Sequence, residues 1–416
     1  MIGTLFVKEC RQILKSLVYY IYLVIFVVFI TSQMSGTEWI DELDEPQPGQ
    51  QNYGYGLSDS ESVLMETGLE KLFEEVRGRS FLTYPFGFAK DVVPDNSELE
   101  EITEILEYCT GTDMMGLEEA YTAYWMGVEG EMVDYETYMR HLEGWHIPVR
   151  EGLSYDEFLA GMEQVSQIVG KGSMYDGRYA HYAKEPLSYE DAMQSYRELC
   201  EKDGVTGAQM RLFCDYAGII VAFLPIFVGV ASCLRDRRAK ADEVIYSKAV
   251  SGFTLMASRY AANVVMVFVP VVIWAFLAQM PCVYEAASRG IAADGFAFLK
   301  YSVIWLLPVI MVVLSASFLI TEATDTILAI PILFAGGIAS LFSASILTGD
   351  FGWKLIARWN EFGGYGRFAQ EAGQLYLNRG LYVILAAAGI FLTVPVYGKK
   401  REGGSGPNGK IQKNRG

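Results

Sequence analysis

Residues 212–259 decide how this chain is built, and they begin with LFCDYAGIIVAFLPIFVGVASCL at 212–234. This mostly apolar run can cross a bilayer, whose ~30 Å hydrocarbon core needs roughly 20 residues of helix. It is followed by the charged segment RDRRAKADE at 235–243 and by VIYSKAVS at 244–251, and a second apolar run begins just after Arg259. A basic, helix-forming segment between two spans predicts an exposed loop on the cytoplasmic side.

The charge distribution separates an acidic region from a basic one. The 416 residues are 51% hydrophobic and yet carry a formal net charge of −17. Residues 34–209 hold 37 acidic and 11 basic residues, whereas the remainder holds 13 and 22. This pattern predicts one acidic soluble insert in a basic membrane protein. The basic residues flank apolar runs and form no stripe with interleaved aromatic residues, so no nucleic-acid partner is expected.

Six segments are apolar enough to span a membrane, and backbone groups in lipid must be satisfied within the segment, so all six are expected to be helices. They are residues 17–32, 212–234, 260–280, 301–320, 326–347 and 381–397. The predicted fold class is therefore an all-α polytopic membrane protein with six transmembrane helices. A large, mainly α extracytoplasmic domain is inserted between helices 1 and 2.

The predicted organisation follows from these segments. It consists of an amphipathic interfacial helix at 1–16, helix 1 at 17–33, the acidic extracytoplasmic domain at 34–209, helix 2 at 210–234, a cytoplasmic loop at 235–257, helices 3 to 6 at 258–398 and a basic, flexible cytoplasmic tail at 399–416.

Lys and Arg residues set the orientation, because short cytoplasmic loops carry an excess of them. With the N-terminus inside, the inside segments hold fifteen basic residues and the short outside loops hold six. This predicts a multi-pass protein of the cell membrane with both termini in the cytoplasm. The loop TEATD at 321–325 disagrees, since it lies on the predicted inside and has acidic residues but no basic ones.

Two terminal features have alternative interpretations. The amphipathic helix at 1–16 could instead belong to a cleaved signal peptide, but no A-x-A site follows the apolar run. Near the other end, GSGPNGK at 404–410 matches the start of a phosphate-binding loop. Ile411 follows where that loop requires Ser or Thr, so we interpret the segment as a flexible tail and expect no ATP site in this chain.

The acidic insert is long enough to bury its own core. Ser154 and Glu157 have the spacing of a helix-starting capping box. Cys109 and Cys200 are candidates for a disulfide, with a free thiol as the alternative.

All three histidines of the chain, His141, His146 and His181, also lie in this insert. Because His141 and His146 are five residues apart rather than four, they lack the spacing of a helical metal pair. Surface histidines are the favoured interpretation, and a metal site with neighbouring carboxylates is the other.

The segment FGWKLIARWN at 351–360 mixes Trp and aliphatic residues with Lys and Arg. This composition suits a helix that lies at the extracytoplasmic surface of the membrane or dips into the membrane there. A plain amphipathic loop is the equal alternative.

The order of these parts resembles the permease subunit of ABC transporters of the ABC-2 type. The specific likeness lies in DEVIYSKAVS at 242–251 and in Arg259. Family members tend to have an acidic residue, a short apolar run, an S-x-P-V-S turn and a basic residue that opens the third span. Here Ala249 stands where the family has proline, and Arg259 stands where it has lysine. The apolar end of the last span followed by GKKR at 398–401 is also similar to the family.

The resemblance implies a transport subunit, by expectation an exporter, that is not itself an enzyme. ATP would be bound by a separate cytoplasmic ABC ATPase, and this chain would hold no cofactor or metal. The further partners are membrane lipid and a second permease, in a homodimer or heterodimer. The cytoplasmic segment 235–257 would be the coupling loop or helix that meets this ATPase. The residues that we expect to dock the ATPase are Arg235, Arg238, Asp242, Glu243 and Tyr246. The alternative is that they only enforce the positive-inside topology, which explains the arginines but not Asp242 and Glu243.

A second function class stays open. The chain could be a membrane-anchored sensor or binding protein that acts through the acidic domain. Six spans with internal prolines exceed what an anchor needs, which favours the transport interpretation. A polytopic membrane enzyme is disfavoured because the sequence offers no clustered nucleophile, base or metal set.

Overall fold

The computed structural model describes residues 2–36, 38–50, 52–58, 60–85, 89–128, 145–176, 183–239, 250–342, 351–359 and 362–401. The chain is mainly helical and divides into two units, which we call the bundle unit (1–46 and 193–416) and the inserted unit (47–192). In chain order the elements are α1 (Ile2–Ile13), α2 (Leu17–Met34), β1 (Tyr55–Ser58), α3 (Glu61–Gly78), β2 (Phe81–Thr83), β3 (Lys90–Val92), α4 (Asn96–Thr110), α5 (Met114–Val128), α6 (Tyr155–Val169), β4 (Ala183–Pro186), α7 (Tyr189–Arg197), α8 (Thr206–Arg238), α9 (Gly252–Ser288), α10 (Ala297–Thr324), α11 (Ala329–Leu341) and α12 (Tyr365–Arg401).

Five helices of the described chain are long and apolar enough to cross a membrane, and they coincide with five of the six predicted spans. They are α2, α8, α9, α10 and α12. The remaining predicted span, 326–347, overlaps α11, which has 13 residues and is about 20 Å long. Residues 343–350 lie outside the described residues. The five long apolar helices therefore indicate a multi-pass membrane protein, and the sixth span stays a prediction.

The bundle unit is apolar on its outside as well as its inside, as expected of a protein solvated by lipid. Large aliphatic and aromatic side chains remain more than 60% exposed along α2 and α12: Val24, Val28, Ile384 and Phe391. α8 is the most buried of the candidate spans and forms the centre of the main core. Such large exposed apolar surfaces on a water-soluble monomer would be anomalous.

Proline in α9 explains how α2 is attached. Pro270 has no N–H, so the carbonyl of Met266 four residues earlier loses its helical partner. The Tyr19 hydroxyl of α2 donates to this carbonyl at 3.0 Å, and the Tyr22 hydroxyl donates to the next one, on Val267, at 2.8 Å. The freed backbone acceptor is thus satisfied inside the protein, as an apolar environment demands.

The contact between α10 and α12 depends on a glycine. A Cβ placed on Gly389 would lie 2.3 Å from Ser315 Oγ, which donates to the carbonyl of Ala386 at 2.8 Å. Glycine allows the two backbones to approach closely enough for this hydrogen bond.

The inserted unit has its own core, formed by α3, α4, α5 and α6 around Phe73, Leu106 and Phe158. The predicted capping box at Ser154 and Glu157 starts α6, and an unpredicted one at Asp95 starts α4. Two short antiparallel pairs, β1 with β4 and β2 with β3, complete the described part of this unit. The described part of this unit is therefore mainly α and has its own core, while the predicted bounds 34–209 and the extracytoplasmic placement stay predictions.

Candidate functional site

Four charged residues meet at the end of the bundle where α8 ends and α9 begins. We call this end of the bundle the loop end. Arg235 donates to Glu9 of α1 at 2.7 Å, and Arg259 donates to Asp236 at 2.5 Å. Arg259 Nε also lies 3.6 Å from Glu9 Oε1. We call Glu9, Arg235, Asp236 and Arg259 the Glu9 network. It fixes both flanks of the predicted coupling loop to the amphipathic helix α1.

The sequence places these groups for local reasons. The basic last turn of α8 complements the negative end of the helix dipole. Ser251 caps α9 by accepting from the N–H of Thr254 at 3.1 Å. Two turns later Arg259 is turned inward and is only 2% exposed, so its charge requires the two carboxylates beside it.

A second cluster lies at the same end, and we call Arg237, Glu322, Asp325 and Lys400 the Lys400 network. Lys400 of α12 donates to Glu322 at 3.1 Å and to Asp325, and Arg237 Nη1 lies 2.6 Å from Asp325. The acidic loop that disagreed with the orientation is thus neutralised by basic residues of α8 and α12. The ends of α8, α10 and α12 therefore meet at one end of the bundle.

The predicted docking residues have different outcomes. Arg235 belongs to the Glu9 network, and Arg238 is exposed in the last turn of α8. Asp242, Glu243 and Tyr246 lie outside the described residues, so their role stays a prediction. The contacts of Glu9 could not be predicted from the sequence, where Glu9 is one polar residue of an amphipathic helix.

The opposite end of the bundle, where α8 begins, is built around a fully buried ion pair. Arg211 donates from both terminal nitrogens to Asp203, at 2.5 and 2.6 Å, and to the carbonyl of Gly363 at 2.6 Å. Its guanidinium carbon lies 4.6 Å from the ring centroid of Phe368. The bond to Gly363 and the stacked Phe368 ring hold the start of α12 against α8, while the bidentate pair holds the segment that precedes α8.

Residues 351–359 correct a prediction at this end. The segment is a loop and not the predicted surface helix. Phe351, Ile356 and Trp359 are at most 1% exposed in the bundle core, whereas Trp353 is 62% exposed. Asp215, nine residues or about 13 Å into α8, accepts from Arg358 Nε and from the Trp359 N–H, each at 2.8 Å. Composition indicated an amphipathic helix, but it could not show that a buried carboxylate in α8 would satisfy this irregular backbone.

The inserted unit brings together one histidine and two carboxylates. His146 Nδ1 lies 2.8 Å from Glu66 Oε1 and 3.7 Å from Glu70 Oε1, and the three ligand atoms all lie within 4.8 Å of one another. His146 is exposed, as expected, while His141 and His181 lie outside the described residues. Burial, with help from the charge of Glu66, raises the pKa of Glu70 to about 7.

The candidate disulfide is not formed in the structure, where Cys109 and Cys200 are both free thiols. Cys109 is fully buried in the core of the inserted unit, and burial raises its pKa to about 11. Cys200 belongs to the bundle unit. The two cysteines were grouped only because they share the acidic insert, and that insert extends beyond the inserted unit's own core.

No protein-family model matches this sequence, and neither a curated protein nor a solved structure shows significant similarity to it.

Proposed function

We propose that this chain is the membrane-spanning permease subunit of an ATP-driven transporter of the ABC-2 type, an exporter by preference. A separate cytoplasmic ATPase would dock on the loop between α8 and α9. The observation that carries the proposal is the Glu9 network, because it joins both flanks of that loop to α1.

The physical argument concerns how a load would pass into the bundle. A protein that pulls on residues 240–249 acts on the last turn of α8 and the first turns of α9 together, and through Glu9 on α1. The Lys400 network extends the connection to α10 and α12. Rigid helices joined by ion pairs at one end are suited to move as a body under such a load.

The alternative is that the basic residues of the two networks only set the orientation of the chain in the membrane. The positive-inside rule counts Lys and Arg and requires no acidic partners. In both networks, however, every basic residue lies within 4 Å of a carboxylate from another helix or loop. This pairing supports a mechanical role in addition to a topological one.

Purification of the tagged full-length protein from its native membrane in a mild detergent tests the proposal, with ATPase activity assayed in the eluate. We expect a stoichiometric nucleotide-binding protein with the wild type, and its loss from the Asp242→Arg/Glu243→Arg variant. The matched control is Glu201→Arg, which reverses an exposed acidic residue near the opposite end and should retain the partner. Equal ATPase recovery from all three proteins would refute docking at the loop.

Recovery of the chain alone, with no ATPase from any variant, would favour the second function, a membrane-anchored sensor or binding protein. The observation that favours this function is the cluster of Glu66, Glu70 and His146 in the inserted unit, whose oxygen and nitrogen atoms suit a divalent cation.

A further inference from the structure

A large cavity lies at the loop end, between α1, the start of α2 and the end of α8. Its volume is about 860 Å³. Four basic side chains line it, which are Lys8, Lys15, Arg235 and Arg238. Such a concentration of positive charge beside membrane-spanning helices indicates an anionic ligand.

The charge balance of the lining leaves an excess of cations. Asp236 is the acidic residue of the lining, and it is held by Arg259 at 2.5 Å. Arg235 forms an ion pair with Glu9, with 2.7 Å between Nη2 and Oε2. Lys8, Lys15 and Arg238 make no ion pair with any residue in the described part of the chain. Three cationic groups are therefore available to a ligand in this cavity.

The backbone at the start of α2 adds to the positive charge that the side chains supply. Ser16, the N-cap of α2, lines the cavity and makes no side-chain hydrogen bond to its helix. The amino end of the 18-residue helix α2 therefore borders the cavity with its partial positive charge. The carboxyl end of α8 also borders it, and there Arg235 and Arg238 offset the partial negative charge.

Apolar side chains form part of the remaining lining, beside the polar side chains of Gln12 and Ser232. Val18 is the second residue of α2, and Val228 lies in α8 three turns before its end. Ile13 and Val228 are already covered by the protein, so the apolar surface open to a ligand lies at the half-buried Val18 and Ala231. A free phosphate ion gains nothing from such a surface, whereas the glycerol and upper acyl carbons of a phospholipid would bury it.

We propose that this cavity binds the phosphate headgroup of an anionic membrane phospholipid, with Lys8, Lys15 and Arg238 as its cationic contacts. The ligand chemistry is a phosphodiester attached to an apolar chain. The bound lipid would lie where the amphipathic helix meets α2 and α8, next to the Glu9 network. The site is independent of the transport function, since it needs only a multi-pass protein in an anionic bilayer.

Native mass spectrometry on the delipidated full-length protein in a neutral detergent tests the site. The probes are dioctanoyl phosphatidylglycerol, dioctanoyl phosphatidylcholine and inorganic phosphate. We expect one tight phosphatidylglycerol adduct and at least tenfold weaker binding of phosphatidylcholine. The variant Lys8→Gln/Lys15→Gln should weaken the phosphatidylglycerol adduct by roughly tenfold or more, since two cations are removed near the headgroup.

Arg11→Gln is the matched control, because Arg11 is an exposed cation on α1 that does not line the cavity. It should leave the adduct unchanged. All three substituted residues are exposed, so the variants are expected to fold. The proposal is overturned if the control weakens binding as much as the double variant, or if phosphatidylcholine binds equally well. If inorganic phosphate displaces the lipid at a similar concentration, the site binds free phosphate and the proposal of a lipid site is overturned.

Discussion

The two ends of the bundle are both held by ion pairs, but they differ in their access to water. At the opposite end, the side chains of Arg211 and Asp203 are 0% and 1% exposed. At the loop end, Arg235, Asp236 and Asp325 keep between 18% and 26% of their side-chain surface exposed. Their partners are more covered, with at most 9% exposed: Glu9, Arg259, Glu322 and Lys400.

This difference assigns a separate physical role to each end. Breaking a fully buried pair leaves an uncompensated charge in a medium of low dielectric, so the geometry at Arg211 is fixed. Partly wetted pairs exchange partners at small cost, because water replaces a lost contact. The opposite end is therefore a rigid anchor, and the loop end is the place where charged contacts can be rearranged by a partner.

The largest effect is expected from Arg211→Gln at the opposite end. The substitution leaves the Asp203 carboxylate buried without its cation, which costs about 3–5 kcal/mol. Thermal unfolding of the full-length protein in one detergent measures the loss. Lys300→Gln is the control, because its pair with Asp294 at the same end is exposed and should contribute less than about 1 kcal/mol.

A double variant, Asp203→Asn/Arg211→Gln, separates the charge from the packing. It removes both ions, so it should be more stable than Arg211→Gln alone. Equal melting temperatures for Arg211→Gln and Lys300→Gln would show that the buried pair is no anchor, and the distinction between the two ends would fail.

A smaller effect is expected from Glu9→Gln at the loop end, of about 1–3 kcal/mol. The carboxylate binds Arg235 and approaches Arg259, but Arg259 retains Asp236 after the substitution. The loss should therefore stay local and detach α1. Hydrogen exchange should quicken in the α1 amides while protection in the middle of α8 is retained.

Arg11→Gln, on the same helix and exposed, should leave exchange in α1 unchanged. If Glu9→Gln instead lowers protection through the whole bundle, the loop end is as rigidly coupled as the opposite end.

Hydropathy and local capping predicted much of this molecule, because both act over a few residues. Five of the six predicted spans coincide with long apolar helices, and the capping box at Ser154 is present. The pairing of Lys400 with Glu322 could not be foreseen, since 78 residues separate them and the orientation rule takes no account of carboxylates.

The burial of Phe351, Ile356 and Trp359 in the loop 351–359 was missed for a related reason. Its composition is that of an interfacial helix, and only the position of Asp215 in α8 shows where its backbone is satisfied. The same limit applies to the predicted docking residues, because a local pattern identifies a residue but not its distant partner. Basic Arg235 was identified from its place after a span, but its partner Glu9 lies 226 residues away in sequence.

The smallest effect should come from pH, and it should arise in the inserted unit. Glu70 has its pKa raised to about 7, chiefly by burial and then by the charge of Glu66. An unfolded glutamate has a pKa of about 4.3. The folded state thus binds more protons between these values, and the free energy of unfolding should fall as pH rises from 5 to 8.

Glu70→Gln keeps the side chain neutral and should remove this slope. Because Glu70 is partly exposed, the difference should amount to about 1 kcal/mol after allowance for solvent screening. Protection factors of the α3 amides, measured at pH 5 and pH 8 in the full-length protein, report it. Glu74→Gln, an exposed neighbour on the same helix whose charge contributes least to the raised pKa of Glu70, should retain most of the wild-type slope. A slope that survives in Glu70→Gln would place the titrating group elsewhere, and one that rises with pH would contradict the sign. If α8 lost protection to the same extent, the bundle itself would titrate over this range, and neither of its ends could serve as the pH-independent reference.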